Sequence, residues 1–224
     1  LLALSRYRAL SAERDALRAR GIYRGLGLCA FIELTTPGPA FYGVGGARIS
    51  SQDGCTLKLE PSGAVTCTTG VTEQGQGTDT MLAQVVATAV GVPIERVRVL
   101  TGDTLVSPYG GGTWASRGAG IGGEAALQSG KALKGNILRV AGAMLQCEPD
   151  ELDLRRGKVV DAVSGEVRLD LAELGRVAYY RPDTLPKDFQ SELTVTRHYV
   201  PRHQGFAFTN GIQGSYLEVD VDTG

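Results

Sequence analysis

Residues 73–80 read EQGQGTDT, a polar stretch with two glycines that runs directly into an apolar stripe. The stripe consists of Met81, Leu82, Val85, Val86, Ala89 and Val90. Its spacing predicts an amphipathic helix, which Thr78 or Asp79 can cap at its start. The sequence Gly91-Val92-Pro93 ends the helix. This part of the chain therefore predicts a polar loop that leads into a helix N-terminus.

A second glycine-rich loop is predicted just before a second long helix. Residues 110–123 read GGGTWASRGAGIGG, and a plain linker rarely carries a tryptophan or a Ser-Arg pair. Val97 and Val99 alternate with arginines and indicate a half-buried strand before the loop. The helix after it has an apolar face made of Ala126, Leu133, Ile137, Val140 and Leu145. Because both loops open into helices, we expect them to lie side by side at neighbouring helix N-termini.

The rest of the chain predicts short helices and strands that alternate with turns. Helices are expected at 11–20 and 171–180, strands at 23–34, 193–200 and 214–222, a hairpin of 56–60 with 64–69, and a meander at 152–169. Loops are expected at 37–46 and 181–191. The predicted fold class is α+β, with a mixed sheet and packed helices. A weakly marked boundary near 147–152 is expected to separate a second subdomain.

The composition excludes several classes of protein. The net charge of −1 provides no broad basic field for nucleic acid, and no apolar run approaches the ~20 residues of a membrane span. The four cysteines form no CxxC pair, so neither an iron–sulfur cluster nor a zinc site is indicated. We expect four buried free thiols in a reducing cytoplasm. Glycine is abundant, with 31 copies, and the cluster of glycines at 102–130 indicates sharp bends or close approach to a ligand.

The chemistry of the two loops points to a bound ligand. Gly75 and Gly77 flank Gln76, whose amide donates and accepts hydrogen bonds and can read the edge of a heterocycle. Free N–H groups at the following helix N-terminus favour an anion. In the second loop, successive N–H groups can form an anion nest, to which Ser116 adds a hydroxyl and Arg117 a charge suited to phosphate. The alternatives are a tight turn with a solvated glutamine and a flexible surface loop.

Other patterns carry less information. No GxxxxGK[ST] sequence exists, and the GxGxxG letters at 118–123 do not follow a strand, so neither a P-loop nor a Rossmann site is supported. Glu124 is expected to complement a helix dipole, and Asp103 to cap a turn. His198 and His203 stand apart and are not expected to form a metal pair. No Ser-His-Asp or Cys-His arrangement is apparent.

In combination, several motifs resemble one known family. Residues 73–80, with 83–86 and 91–93, look like an E-x-GQG-x-x-T helix, residues 102–104, 108–110 and 112–117 look like the next segment, and residues 210–211, 218–220 and 222–224 resemble a later strand. The family is the large, molybdopterin-binding subunit of xanthine dehydrogenases, aldehyde oxidases and carbon monoxide dehydrogenases. The resemblance runs from about residue 21 to the end, so it implies a helical lead-in at 1–20 and a molybdopterin-binding domain region at 21–224.

The resemblance implies a cofactor and the residues that bind it. The cofactor would be molybdenum held by molybdopterin, in the cytosine dinucleotide form common in bacterial relatives. The cofactor-binding residues would be Gly75, Gln76, Gly77, Thr80, Gly112, Thr113, Trp114, Ala115, Ser116 and Arg117. No residue of this chain is expected to bind a metal directly.

The resemblance also implies an oxidoreductase. It would hydroxylate an aldehyde, an N-heterocycle or a similar small molecule with oxygen from water, and pass electrons to iron–sulfur and FAD subunits or domains. The family's catalytic glutamate is expected beyond Gly224 and a glycine-phenylalanine loop before Leu1. The chain would therefore depend on the remaining segments of the same subunit and be inactive alone. The alternative is a non-redox binding module for a phosphate-bearing nucleotide.

Overall fold

The computed structural model describes residues 2–3, 5–202 and 207–224. The chain divides into two compact units, one built from the residues up to 34 together with 208–224, the other from 35–207. The helices are α1 (Tyr7–Arg18), α2 (Thr78–Val90), α3 (Gly123–Leu145) and α4 (Leu171–Tyr180). The strands are β1 (Tyr23–Thr35), β2 (Asp53–Leu59), β3 (Val65–Thr69), β4 (Val97–Leu100), β5 (Leu152–Arg155), β6 (Lys158–Asp161), β7 (Val167–Asp170), β8 (Thr194–Tyr199) and β9 (Ala207–Val219).

The smaller unit contains α1 and a two-stranded sheet of β1 and β9. Arg24 on β1 links the elements, since it donates to Glu218 at 2.9 Å and to Glu13 at 2.5 Å. β9 begins before the predicted strand at 214–222, because pairing with the long β1 outweighs the weak strand preference of its glycines. Cys29 on β1 is exposed and Cys147 is only partly buried, so the expectation of four buried thiols is wrong for these two residues.

The larger unit is built on a four-stranded mixed sheet in the order β4-β3-β2-β8. The predicted hairpin is confirmed as the antiparallel pair of β2 and β3, and β3 pairs with β4 in parallel. α3 packs on β2 and β8 and also contacts α2. The Ser129 hydroxyl on α3 donates to the Cys55 carbonyl at 2.7 Å and ties the helix to the sheet. The predicted α+β class, with a mixed sheet and packed helices, is confirmed.

The two helices bury the apolar faces that the sequence predicts. On α2 the buried side chains include Leu82, Val86 and Val90, and on α3 they include Leu133, Ile137 and Val140. These positions recur every three or four residues, so each helix presents one apolar stripe to the core. The packing fixes the N-termini of α2 and α3, and with them the two glycine-rich loops.

The predicted meander and the short helix after it are confirmed as the sheet β5-β6-β7 and α4. Asp170 caps α4, because its carboxylate accepts the Ala172 N–H at 2.8 Å. Residues 147–152 lie inside the larger unit, between α3 and this sheet, and a subdomain boundary there stays a prediction. Within the part of the chain that the structure describes, no helix is long and apolar enough to cross a membrane.

Candidate functional site

The loop before α2 folds around the carboxylate of Glu73. Oε1 of Glu73 accepts the backbone N–H groups of Gln74 at 3.1 Å, Gly75 at 2.6 Å and Gly77 at 3.0 Å. Oε2 accepts the N–H of Asp79 at 3.1 Å. These hydrogen bonds, that from Asp79 foremost, lower the pKa of Glu73. The helix end where the sequence predicted an external anion is therefore filled by a carboxylate of the chain itself.

The predicted capping of α2 by Thr78 or Asp79 is wrong. The N-cap residue is Gly77, whose φ of 83° lies in the left-handed region that glycine adopts without strain. The chain thus turns one residue earlier than predicted, and Thr78 is already helical and buried. Its hydroxyl accepts a hydrogen bond from the Gln76 amide at 2.7 Å instead of capping the backbone.

Most of the hydrogen-bonding capacity of Gln76 is used inside its own loop. Nε2 donates to the Thr72 carbonyl at 3.2 Å and to the Thr78 hydroxyl. Oε1 accepts the Gln74 N–H at 2.7 Å. Since an amide has two N–H donors and an oxygen with two lone pairs, this arrangement leaves one lone pair of Oε1 for a ligand.

The second loop is anchored by a buried ion pair between Arg117 and Asp53. Both side chains are 0% exposed. The Arg117 guanidinium also donates to the carbonyls of Gln52 at 2.8 Å and Gly112 at 2.5 Å. The charge of Arg117 points into the protein and is balanced there, so the expected pairing of this charge with a phosphate does not fit the geometry.

The role of Asp53 in this site was not predicted from the sequence. Asp53 is the first residue of β2, and a Cβ at position 110 would lie 2.7 Å from its Cγ, so only glycine fits there without a shift. Burial raises the pKa of Asp53 although Arg117 attracts the ionised form. In the sequence Ser-Gln-Asp-Gly at 51–54, Asp53 is typical of a turn. The sequence feature that could have predicted this role is a carboxylate at the start of an apolar strand, because a buried carboxylate needs a partner.

The two loops meet at Thr113. Its Oγ1 accepts the Thr72 N–H at 2.6 Å and donates to the Thr72 carbonyl at 2.9 Å. The Gln74 side-chain amide of the first loop also donates to the Thr113 carbonyl of the second loop, at 3.3 Å. The prediction that the loops lie side by side is confirmed.

Trp114 borders the site as an aromatic wall. Its indole N–H donates to the Gly111 carbonyl at 2.9 Å, which fixes the ring against its own loop. The ring lies 6.1 Å from that of Phe41 and 5.6 Å from the guanidinium carbon of Arg117. This wall supplies a flat apolar surface beside the polar edge formed by the first loop.

A pocket of about 490 Å³ lies between the loops. Of the predicted cofactor-binding residues, the pocket is lined by Gln76, Gly77, Thr113, Trp114, Ala115, Ser116 and Arg117. Gly75, Thr80 and Gly112 do not line it. The lining residues that the sequence did not single out as binding are Gln74, Thr78, Met81, Gly118 and Ala119. The pocket wall thus combines backbone, amide and hydroxyl groups with an indole and a thioether.

The remaining candidate residues that the structure describes are not grouped as a metal site. Among residues 2–3, 5–202 and 207–224, no group of three or more His, Cys, Asp or Glu side chains is placed to hold a metal ion. His198 lies on β8, and its imidazole lies close to Gly54. His203 lies outside the described residues.

Comparison with known proteins identifies the family. The molybdopterin cofactor-binding domain family matches residues 1–224, and the chain belongs to it. The nicotine 6-hydroxylase large subunit of Paenarthrobacter nicotinovorans is 31% identical over 97% of this chain and 26% of the relative. The carbon monoxide dehydrogenase large chain of Hydrogenophaga pseudoflava is 29% identical over 97% of this chain and 27% of the relative.

The fold comparison agrees with the sequence comparison. The crystal structure of quinoline 2-oxidoreductase from Pseudomonas putida 86 superposes with a TM-score of 0.79 and 31% identity. The match covers 100% of this chain and 28% of that chain. The chain therefore has the fold of a molybdenum hydroxylase molybdenum-binding region and spans about a quarter of the length of these relatives.

Proposed function

We propose that this chain is part of the molybdenum-cofactor-binding subunit of an oxidoreductase that hydroxylates a small organic substrate. The observation that carries the proposal is the convergence of the 73–80 and 110–117 loops on one pocket, in a chain that belongs to the molybdopterin cofactor-binding family. In such a reaction a substrate C–H carbon takes its oxygen from water, and two electrons and two protons are released.

The residues present fit a pterin-type ligand. The pocket volume of about 490 Å³ lies in the range of small-molecule sites. Gln74 and Gln76 supply hydrogen-bonding groups that suit the edge of a heterocycle, and Trp114 supplies an apolar face. When bound, the molybdenum cofactor would supply the redox chemistry. The contribution of this chain is to bind the organic part, to orient it and to exclude water on one side.

The finer assignments are proposals that the resemblance to the family supports. A cytosine dinucleotide form of the cofactor, an aldehyde or N-heterocycle substrate, and electron transfer to iron–sulfur and FAD partners are proposed on the likeness to these large subunits. Because the chain spans about a quarter of their length, we propose that the catalytic glutamate lies in another segment of the same subunit.

The alternative, a non-redox binding module for a phosphate-bearing nucleotide, is not favoured. The family match covers the whole chain, and the similar proteins are named as hydroxylases, dehydrogenases and oxidoreductases.

The first experiment tests the pocket through Gln76. In the full-length subunit, Gln76→Ala should lower molybdenum and pterin content, because the ligand loses an acceptor and the loop loses the hydrogen bonds of the Gln76 amide to Thr72, Gln74 and Thr78. A ligand group that becomes buried on binding without its partner costs on the order of 1–3 kcal/mol, or roughly 5- to 150-fold in affinity. Gln128→Ala is the matched control, since that amide donates to Glu124 within α3 and does not line the pocket. Unchanged cofactor content in Gln76→Ala contradicts the assignment.

The second experiment tests the activity. The full-length enzyme should reduce an electron-accepting dye when offered a panel of aldehydes and N-heterocycles, and the oxygen of the product should carry the label of isotopic water. The 224-residue chain alone, supplied with the dinucleotide cofactor, should remain inactive, because other domains complete the site and exclude water from it. Sustained turnover by this chain alone would refute the proposal.

A further inference from the structure

Glu73 occupies the place at which a helix N-terminus ordinarily receives an anion. The first N–H groups of an α-helix have no partner within the helix, and the helix dipole favours negative charge there. The N–H groups of Gly77 and Asp79 both point to the Glu73 carboxylate, at 3.0 and 3.1 Å. The same carboxylate also accepts the N–H groups of Gln74 and Gly75, so it holds the loop and the helix end together.

This arrangement determines the charge at one end of the pocket. A phosphate that approached the start of α2 would meet a carboxylate that already holds four N–H donors. The nearby groups that line the pocket are the amides of Gln74 and Gln76 and the hydroxyl of Thr113, all of them uncharged. The Arg117 cation does not alter this, because it is buried against Asp53.

We propose that Glu73 is a positioning and specificity-determining residue. Its carboxylate acts as a built-in anion that shapes the 74–79 loop and reserves this end of the pocket for an uncharged, hydrogen-bonding part of the ligand, while phosphate groups are kept away from the α2 N-terminus. The proposal refines the ligand orientation and in that respect rests on the proposed function. The shaping of the loop by Glu73 stands independently of it.

The test is hydrogen–deuterium exchange of the 74–79 amides in the cofactor-free, full-length subunit. Glu73→Ala should exchange at least about tenfold faster there, since hydrogen bonds to a charged acceptor are lost. Added formate should restore slow exchange in this variant, because it supplies a carboxylate of the right size. Glu124→Ala is the matched control: it removes a carboxylate from the first turn of α3 and should leave the 74–79 amides unchanged.

Addition of inorganic phosphate distinguishes a role of Glu73 in ligand specificity from a purely structural role. Phosphate should slow exchange at 74–79 in Glu73→Ala but have no effect on the wild type. Glu73→Gln keeps the side-chain volume and removes the charge, so the 74–79 amides should exchange faster than in the wild type while the amide side chain still leaves no room for phosphate, and this holds even if the alanine variant does not fold. The proposal is overturned if phosphate protects the wild-type loop, or if exchange in both variants equals that of the wild type.

Cofactor content distinguishes this inference from the function on which its ligand orientation rests. Wild-type subunit that carries no molybdenum or pterin, but shows the expected exchange pattern, would refute the proposed function and leave the role of Glu73 in the loop intact. Normal molybdenum and pterin content together with unchanged exchange in the Glu73 variants would refute the role of Glu73 alone.

Discussion

The two loops that form the pocket are held by opposite means. The 73–79 loop is organised by a half-buried carboxylate, Glu73, which accepts only backbone N–H groups. The 110–117 loop is organised by a fully buried cation, Arg117, which is balanced by Asp53 on β2. In both loops the charged side chain is used to hold the backbone rather than to face the ligand. The comparison shows that a conspicuous charge in a glycine-rich loop need not be a binding group.

Because Glu73 is partly exposed and Arg117 is fully buried, loss of the charged group that holds each loop is expected to destabilise the protein by different amounts. Water can solvate the N–H groups of the first loop when Glu73 is removed, because that loop lies at the surface. Removal of Asp53 leaves the guanidinium of Arg117 without its counter-ion at 0% exposure, where water cannot replace the carboxylate. Substitution of Glu73 is therefore expected to change the first loop locally. Substitution of Asp53 is expected to lower the free energy of unfolding of the whole larger unit.

The largest expected effect comes from Asp53→Ala. Breaking a buried ion pair by removal of one partner costs about 3–5 kcal/mol, and urea unfolding should show a loss of this size. Asp183→Ala is the control, because its pair with Arg181 is exposed and worth about 0–1 kcal/mol. Equal losses in the two variants would contradict the assignment of the buried pair as the anchor of the second loop.

A double substitution sharpens the same comparison. Asp53→Leu combined with Arg117→Met removes both charges, so most of the stability lost in Asp53→Ala should return, as buried ion pairs often tolerate apolar replacement. The hydrogen bonds from Arg117 to the carbonyls of Gln52 and Gly112 are nevertheless lost. We therefore expect a stable fold whose 110–117 loop exchanges amide hydrogens faster than in the wild type. A double variant as unstable as Asp53→Ala would show that packing, not charge, dominates at this position.

The sequence predicted the local elements of the site better than the contacts that hold it. The apolar stripe after residue 80 located α2, and the position of two glycine loops before two helices predicted their adjacency. Local periodicity determines the first, and the second depends in addition on the packing of the two apolar stripes. The Asp53–Arg117 pair joins residues 64 positions apart, and no local pattern encodes such a contact. The Glu73 carboxylate is close in sequence, but its role depends on the left-handed turn at Gly77, which shifted the predicted helix cap.

Thr113 provides the intermediate effect, since it joins the two loops. Thr113→Val keeps the shape of the side chain but leaves the Thr72 N–H without its acceptor. An unsatisfied, partly buried donor costs about 1–3 kcal/mol, and the 110–117 loop should separate from the first, with lower molybdenum content in the full-length subunit. Thr56→Val is the control, because its hydroxyl pairs with that of Thr196 at an exposed part of the sheet and does not line the pocket. Loss of cofactor in the control as well would count against a local role for Thr113.

The smallest expected effect is the response of the first loop to acid. The pKa of Glu73 is lowered in the folded protein by its N–H donors, that of Asp79 first. Its contribution is therefore complete above the unfolded value for glutamate, about 4.3, and is lost as the pH falls through the folded pKa. Asp53 has the opposite sign, because burial raises its pKa: its contribution to stability is complete below the unfolded value for aspartate, about 3.9, and declines as the pH rises through the folded pKa.

The measurement compares amide exchange at 74–79 in the wild type and in Glu73→Gln at each pH, so that the intrinsic pH dependence of exchange cancels. The ratio of the two rates should be constant near neutrality and approach one in acid, as the pH falls through the lowered pKa of Glu73. A ratio that stays constant while the pH falls until the protein unfolds would mean that the charge of Glu73 does not hold the loop.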